Sequence, residues 1–417
     1  MSSSAPAGNG PLRPGQVARA TWVLIVMRAA YAYNWFDIGP AFPGIGASFG
    51  VGPSGWGLLL AAFLAGAGAF QVPAGLLGRR FGNRGVSLAG AALLGGFGIL
   101  SGFAPSFLAL LLLRAAAGVG AGLFFSPAIS LVASLYPAGR RGLPVGGFSS
   151  AFSAGAAAGV ALTAVLAPMI GWRASLVLGG VLLSALTLAG VLAVPRVPTA
   201  GGPPVSPPVR RPLTAIRLPA VWAIGLGFIG MEGASFATGQ FIVPYGEALR
   251  AWSAATAGLV GMMFVLPSVV GGPLGGMVAE RRPNHRTQLL VATVVGAGAV
   301  ALIPVAGLGP ILLIGATFSF CYGVIYAVMY VLPHFWARLP PDEVPLAIGT
   351  FNAIQLAGGA SVAYVFGRVV DLASYAVAWE VLAALQVATL VALVALPPSD
   401  GPSPGAGPPA GAGRLRG

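Results

Sequence analysis

The stretch "AGLLGRRFGNRG", residues 74–85, packs three arginines and four glycines into twelve residues. The chain around it is nearly uncharged, with 31 charged residues in 417, 57% hydrophobic residues and a mean hydropathy of +0.88. A soluble domain carries about 25% charged residues, so most of this chain is solvated by lipid. The cluster is then a polar turn between two apolar runs. Its glycines let the backbone reverse sharply.

Working outward from that turn, the apolar runs are long enough to cross a bilayer as helices, which takes about 20 residues each. Twelve are predicted: 21–45, 55–78, 86–103, 107–133, 145–168, 174–194, 220–245, 255–278, 288–307, 310–333, 346–370 and 376–396. The runs are continuous rather than alternating, which selects helices over a barrel. Only residues 104–106 and 308–309 separate two of the pairs, so those neighbours are antiparallel hairpins.

All 22 basic residues are arginine, a bias in keeping with the richness in Ala, Gly, Val and Pro. With the N-terminus inside, 17 arginines fall on cytoplasmic segments, and Arg173, Arg250 and Arg368 on outer edges. Arg28 and Arg114 fall within spans. That asymmetry predicts cytoplasmic N and C termini and an inner (plasma) membrane location. The Pro-rich segment 195–219 divides the spans six and six. It gives an N-terminal tail 1–20, a first half 21–194, a cytoplasmic linker, a second half 220–396 and a disordered tail 397–417. One offset of 201 residues pairs Pro43 with Pro244, Gly57 with Gly258, Gly75 with Gly276, Arg80 with Arg281, Gly122 with Gly323 and Pro144 with Pro345. Parallel six-helix repeats are an architecture of transporters that rock one half against the other.

Several function classes are excluded. The arginines are scattered, unlike a nucleic-acid footprint, despite a net charge of +13. The single Cys321 excludes a disulfide framework and a cysteine-based metal site. The N-terminus lacks a cleavable signal pattern. Both histidines, His285 and His334, lie at cytoplasmic helix ends, and no acid pair shares a span, so an enzyme is not expected. No nucleotide-binding loop or attached soluble domain is apparent, and no cofactor or metal is implied.

At this point the chain resembles the major facilitator superfamily of secondary transporters. The family's loop after helix 2 reads G-x-L-x-D-R-x-G-R-R. Gly75, Leu77, Arg80, Gly82 and Arg84 match it, while Arg79 replaces the aspartate and Asn83 an arginine. The second copy, "GMVAERRPNHR" (276–286), keeps Gly276, Glu280 and Arg281 but has Pro283 in place of glycine. "QVPAG" (71–75) resembles the end of helix 2, "RAAAGVGAG" (114–122) the family's helix 4, and "GWR" (171–173) the outer end of helix 5. In helix 5, Gly155 and Gly159 are present, but Val160 stands where a drug-antiporter signature has proline. The resemblance implies alternating access between two halves, with helices 1 and 7 lining the cavity.

Ionisable groups inside spans are costly and face a cavity or a partner. On helix 1, Arg28, Tyr31 and Trp35 share a face, and Asp37 lies almost opposite, toward the outer end, so Arg28 and Asp37 are not expected to pair. Asp37 reads equally as a solvated vestibule residue or a proton carrier, and Arg28 as an anion contact or a side chain snorkelling to the interface. Glu232 sits near the midplane of helix 7, at the position that pairs with Tyr31 under the offset. A carboxyl group at that depth can carry a proton, which suits proton coupling; the competing reading is a structural salt bridge. Arg114 reads as an anion contact, a partner of Glu232 or a carbonyl cap. Gln240, Asn352 and Gln355 are candidate neutral substrate contacts. Tyr322, Tyr326 and Tyr330 form one face of helix 10, read as packing or lipid-facing.

The expected protein is a monomeric, proton-coupled transporter of a small solute, with a lean to a carboxylate or other organic anion. The runner-up is an efflux antiporter for amphipathic compounds. A cytoplasmic gate is expected from Gly75, Arg79, Arg80, Gly82, Arg84 and Arg281. It would close as two clusters of opposite polarity, Arg79 with Asp342 and Glu343, and Glu280 with Arg140 and Arg141.

Overall fold

A computed structural model describes residues 13–137, 140–195, 214–281, 284–336, 339 and 343–394. The described residues are helical apart from short turns. The helices are α1 (Pro14–Phe36), α2 (Ile38–Phe49), α3 (Pro53–Phe81), α4 (Asn83–Gly102), α5 (Phe107–Ser134), α6 (Gly142–Ile170), α7 (Trp172–Ala193), α8 (Thr214–Arg217), α9 (Pro219–Gly227), α10 (Ile229–Arg250), α11 (Ala254–Met263), α12 (Ser268–Arg281), α13 (His285–Ala301), α14 (Leu308–Val331), α15 (Val344–Leu372) and α16 (Tyr375–Val394). Each of the twelve predicted runs has its helix. Ten segments among the described residues are long and apolar enough to cross a membrane. The first run, which carries Arg28, Asp37 and a break, and the short α13 are the two outside that set.

Three predicted spans are interrupted, which the hydropathy does not reveal. The first breaks at Asp37, between α1 and α2. Pro40 has no N–H to offer the Phe36 carbonyl, so the α1 ladder ends there. Pro267 does the same to the Met263 carbonyl, where α11 stops before a turn over 264–267. The seventh span breaks at Phe228, among Gly225, Gly227 and Gly230, four residues before Glu232.

The opening turn is tight. Gly82 alone, at φ +85°, separates α3 from α4, a backbone conformation that favours glycine. Arg84 then reaches the end of α7, where Nε donates to the Val194 carbonyl at 2.8 Å and Nη2 to Val191 at 2.6 Å. Carbonyls at a helix C-terminus lack intrahelical donors, and a cation there supplies them. The motif arginine thus ties α4 to the end of α7 in its own half.

The repeat is visible in the packing. Between the halves, α3 packs on α15 and α11 on α6. Gly57 and Gly258, paired by the offset, sit at these two seams. A Cβ on Gly57 would lie 2.5 Å from the Ala363 carbonyl oxygen, and one on Gly258 would lie 3.0 Å from that of Ala161. Only glycine lets the helices approach so closely.

The seams close one end of the bundle, opposite the end carrying the 79–85 turn. There Phe42 stacks on Trp56 with centroids 5.3 Å apart, and both rings meet Phe241 of the other half, which in turn packs on Phe366 at 4.9 Å. The Asp371 carboxylate of α15 accepts from the Ser54 N–H at 2.9 Å. It caps α3, whose own N-cap residue, Gly52, has no side chain to do so.

Candidate functional site

Between the halves lies a cavity of about 570 Å³. Its lining runs from Trp35 and Phe236, beneath the aromatic seal, to Gly146 and Tyr330 toward the arginine-rich end. The molecule is therefore sealed at the far end, with its cavity extending toward the arginine-rich one. All three broken spans contribute to the wall, through Phe36, Glu232, and Phe264 and Val265 of the 264–267 turn.

Among the described lining residues, Arg28 and Glu232 alone carry charge, and they come from opposite halves. Arg28 is 7% exposed. Its guanidinium lies 4.4 Å from the Phe125 ring centroid and 4.6 Å from those of Tyr31 and Phe152, with Phe148 at 5.5 Å. Such cation–π contacts stabilise the charge without using its N–H groups. Neither Nε nor Nη1 has a hydrogen-bond partner among the described residues. The long stem keeps this head group in the cavity wall rather than at the interface.

Glu232 lies in the first turn of α10, where the helix dipole favours an acid. Its Oε2 accepts from the Tyr322 hydroxyl at 3.0 Å. No arginine pairs with it among the described residues, where the single ion pair is that of Arg114 with Asp37. Beside it runs a ladder: Tyr330 donates to Asn352 Oδ1 at 3.1 Å, and the Tyr326 and Tyr330 hydroxyls are 3.0 Å apart. Since Tyr330 spends its proton on Asn352, Tyr326 is the donor to Tyr330. The three tyrosines of α14, read from the sequence as packing or lipid-facing, therefore line the cavity. The available signal was their spacing of four residues, which puts three hydroxyls on one stripe.

Arg28, Tyr31, Trp35 and Asn352 are brought together at the cavity. The other candidate contacts lie elsewhere. Arg114 lies behind the wall, 1% exposed, with Nη1 3.8 Å from Asp37 Oδ1 and Nη2 donating to the Asn34 carbonyl at 3.1 Å. It reaches neither the cavity nor Glu232. Asp37, 1% exposed at the helix break, is no solvated vestibule residue. Gln240 donates across the halves to the Trp35 carbonyl at 2.7 Å, and Gln355 to Met329 Sδ. Both are buried in packing rather than in the cavity lining.

Of the gate candidates, Arg80 lies exposed over the Phe81 ring, and Gly75, Arg140 and Arg281 have no close cross-half partner among the described residues. Arg141 donates to the Tyr136 carbonyl at 2.9 Å. Glu343, 5% exposed, accepts from the Ala215 N–H at 2.7 Å, which ties the start of α15 to α8 of its own half. The side chains of Arg79 and Glu280, and all of Asp342, lie outside the described residues.

Sequence comparison places this architecture in a family. The model of the Major Facilitator Superfamily matches residues 24–362, and the chain belongs to that family of membrane transporters. It is 33% identical over 152 residues to the 4-hydroxybenzoate transporter PcaK of Pseudomonas putida, covering 36% of this chain and 34% of the relative. It is 31% identical over 241 residues to human Monocarboxylate transporter 11, covering 54% and 48%. The matches thus span about a third to a half of these relatives' lengths. The fold is similar to that of the xylose transporter XylE from E. coli in its inward open conformation, with a TM-score of 0.74 at 15% identity over 92% of this chain and 97% of the other.

Proposed function

We propose that the chain is a proton-coupled secondary transporter of a small organic anion, with Arg28 holding the anion and Glu232 the proton. One observation carries the reading: in the described lining, a single cation and a single carboxylate share one cavity from opposite halves. Loading an anion on Arg28 and a proton on Glu232 leaves the cavity's net charge as it was when empty. A charged cavity is costly to carry through a low-dielectric barrier, so the two loadings favour each other. The partial relatives named for 4-hydroxybenzoate and monocarboxylate transport agree with an anionic substrate. The Asp37–Arg114 pair offers a second buried carboxylate beside the cavity wall, where proton occupancy would act on the α1–α2 break.

The arginine-rich end is assigned to the cytoplasm on the positive-inside bias, in the inner membrane. This geometry is then inward-open, and the halves rock about the seams of α3 with α15 and α11 with α6. The aromatic walls also accommodate the antiporter reading, an efflux protein for amphipathic compounds. Proteoliposomes separate the two. Symport accumulates a monocarboxylate when the outside is acidic, and Glu232→Gln retains exchange while abolishing that accumulation. Accumulation that survives in Glu232→Gln overturns the role of Glu232, and pH-driven flux of the opposite sign overturns symport.

A further inference from the structure

We infer that the transported anion is a flat aromatic monocarboxylate with a hydroxyl-like group at the end of the ring opposite its carboxyl. This deepens the anion reading above and rests on it. Three features of the cavity define the class.

The first is the charge count. Arg28 is a buried guanidinium with unpartnered Nε and Nη1, and leaving buried charged donors unpaired is costly. A carboxylate satisfies planar donors of this kind best. There is no second cation in the described lining. A dianion would press its other carboxylate against Glu232 and the tyrosine oxygens, so one carboxylate is admitted.

The second is the shape of the walls. Beyond Arg28 one part of the lining is built of rings from both halves, with six serines and Gln71 around them. Trp35 stacks on Phe236 of the other half at 5.9 Å and 21°, and meets Phe152 edge-on at 5.8 Å and 81°. Tyr31 closes the same side at 5.5 Å from Trp35. Ring faces and edges favour a flat π-system over a puckered or short aliphatic one.

The third is the ladder on the opposite wall. The chain Tyr326 to Tyr330 to Asn352 commits each hydroxyl proton and ends on the Asn352 carbonyl oxygen. It leaves an acceptor lone pair on the Tyr326 oxygen and does not use the N–H donors of the Asn352 amide. A phenol-like hydroxyl can both donate and accept, so it suits this wall better than a methyl group or a bare ring edge.

Titration calorimetry on the purified full-length protein tests this with defined probes: benzoate, 4-hydroxybenzoate, cyclohexanecarboxylate, terephthalate and lactate. The expected order is 4-hydroxybenzoate above benzoate by about threefold to tenfold, the yield of one added hydrogen bond. Cyclohexanecarboxylate and lactate should be weaker than benzoate, and terephthalate should not bind. Arg28→Gln should lower affinity for both benzoates by about tenfold or more, the loss of a charge-assisted contact. Asn352→Ala, and separately Tyr326→Phe, should bring the hydroxybenzoate-to-benzoate ratio to near one. Equal binding of benzoate and cyclohexanecarboxylate overturns the aromatic slot, and a ratio unchanged in both ladder variants overturns the hydroxyl contact. If lactate alone accumulates under an acidic outside, this inference falls while anion symport stands. If benzoates bind but no anion accumulates with protons, the coupling reading falls instead.

Discussion

Arg114 and Asp37 hold each other in a site that water does not reach, each 1% exposed. Removing one member of such a pair strands a charge in low dielectric, while removing both charges need not cost much. Arg114→Leu should therefore destabilise the fold by about 3–5 kcal/mol, and adding Asp37→Asn should recover most of the loss. Denaturant unfolding in detergent reads both; equal stability of wild type and Arg114→Leu would refute the pairing. The expectation that Arg28 and Asp37 do not pair followed from helical angle alone, and Arg28 duly sits in its aromatic cage instead. That Asp37 meets Arg114 was not legible, because it depends on the break at Asp37 and on how α1 packs against its own half. Glu232 was legible as a buried acid from hydropathy. Its tyrosine partner was not, because a hydroxyl stripe on a buried helix looks the same whether it faces lipid, core or cavity.

At the scale of the helix, the seams decide which end is closed. Gly57 allows α3 to touch the α15 backbone only while the far end is shut. Gly57→Val should destabilise that closed end by about 1–3 kcal/mol, a shift of about five- to 150-fold in the conformational equilibrium. In a Cys321→Ser background, a cysteine placed at Phe241 should then label faster with a membrane-impermeant thiol reagent. Unchanged labelling would show that the seam tolerates the side chain. Arg84→Ala should loosen α7 rather than the contact between halves, because its carbonyl partners at Val191 and Val194 belong to the same half. Its effect should appear as faster hydrogen exchange at 188–194. Span positions were readable because twenty apolar residues have few other fates. Breaks at 228 and 264–267 were not, since glycine and proline are frequent throughout this chain.

For the whole molecule, the Pro-rich segment 195–219 predicts the six-plus-six layout, and the offset of 201 residues relates its halves, with Gly57 and Gly258 at equivalent seams. The two gate clusters expected from the sequence would form in the state in which the arginine-rich end closes. Arg79→Asp should bias the protein toward the inward-open state, and adding Asp342→Arg with Glu343→Arg should restore the balance. A few exposed pairs at about 0.2–1 kcal/mol each suffice to shift such an equilibrium. Glu343 would have to release the Ala215 N–H to take part. Accessibility of a cysteine at Ser149 on the cavity wall, unaltered by either change, would refute the gate. The seal at the other end has a thermal consequence. Opening it wets the faces of Phe42, Trp56, Phe241 and Phe366 together with the capped end of α3. Hydrating apolar surface raises heat capacity, so the balance between the two facing states should bend with temperature rather than follow a straight van't Hoff line. A transporter built on this seal would change its resting orientation on warming even with its substrate gradient held fixed.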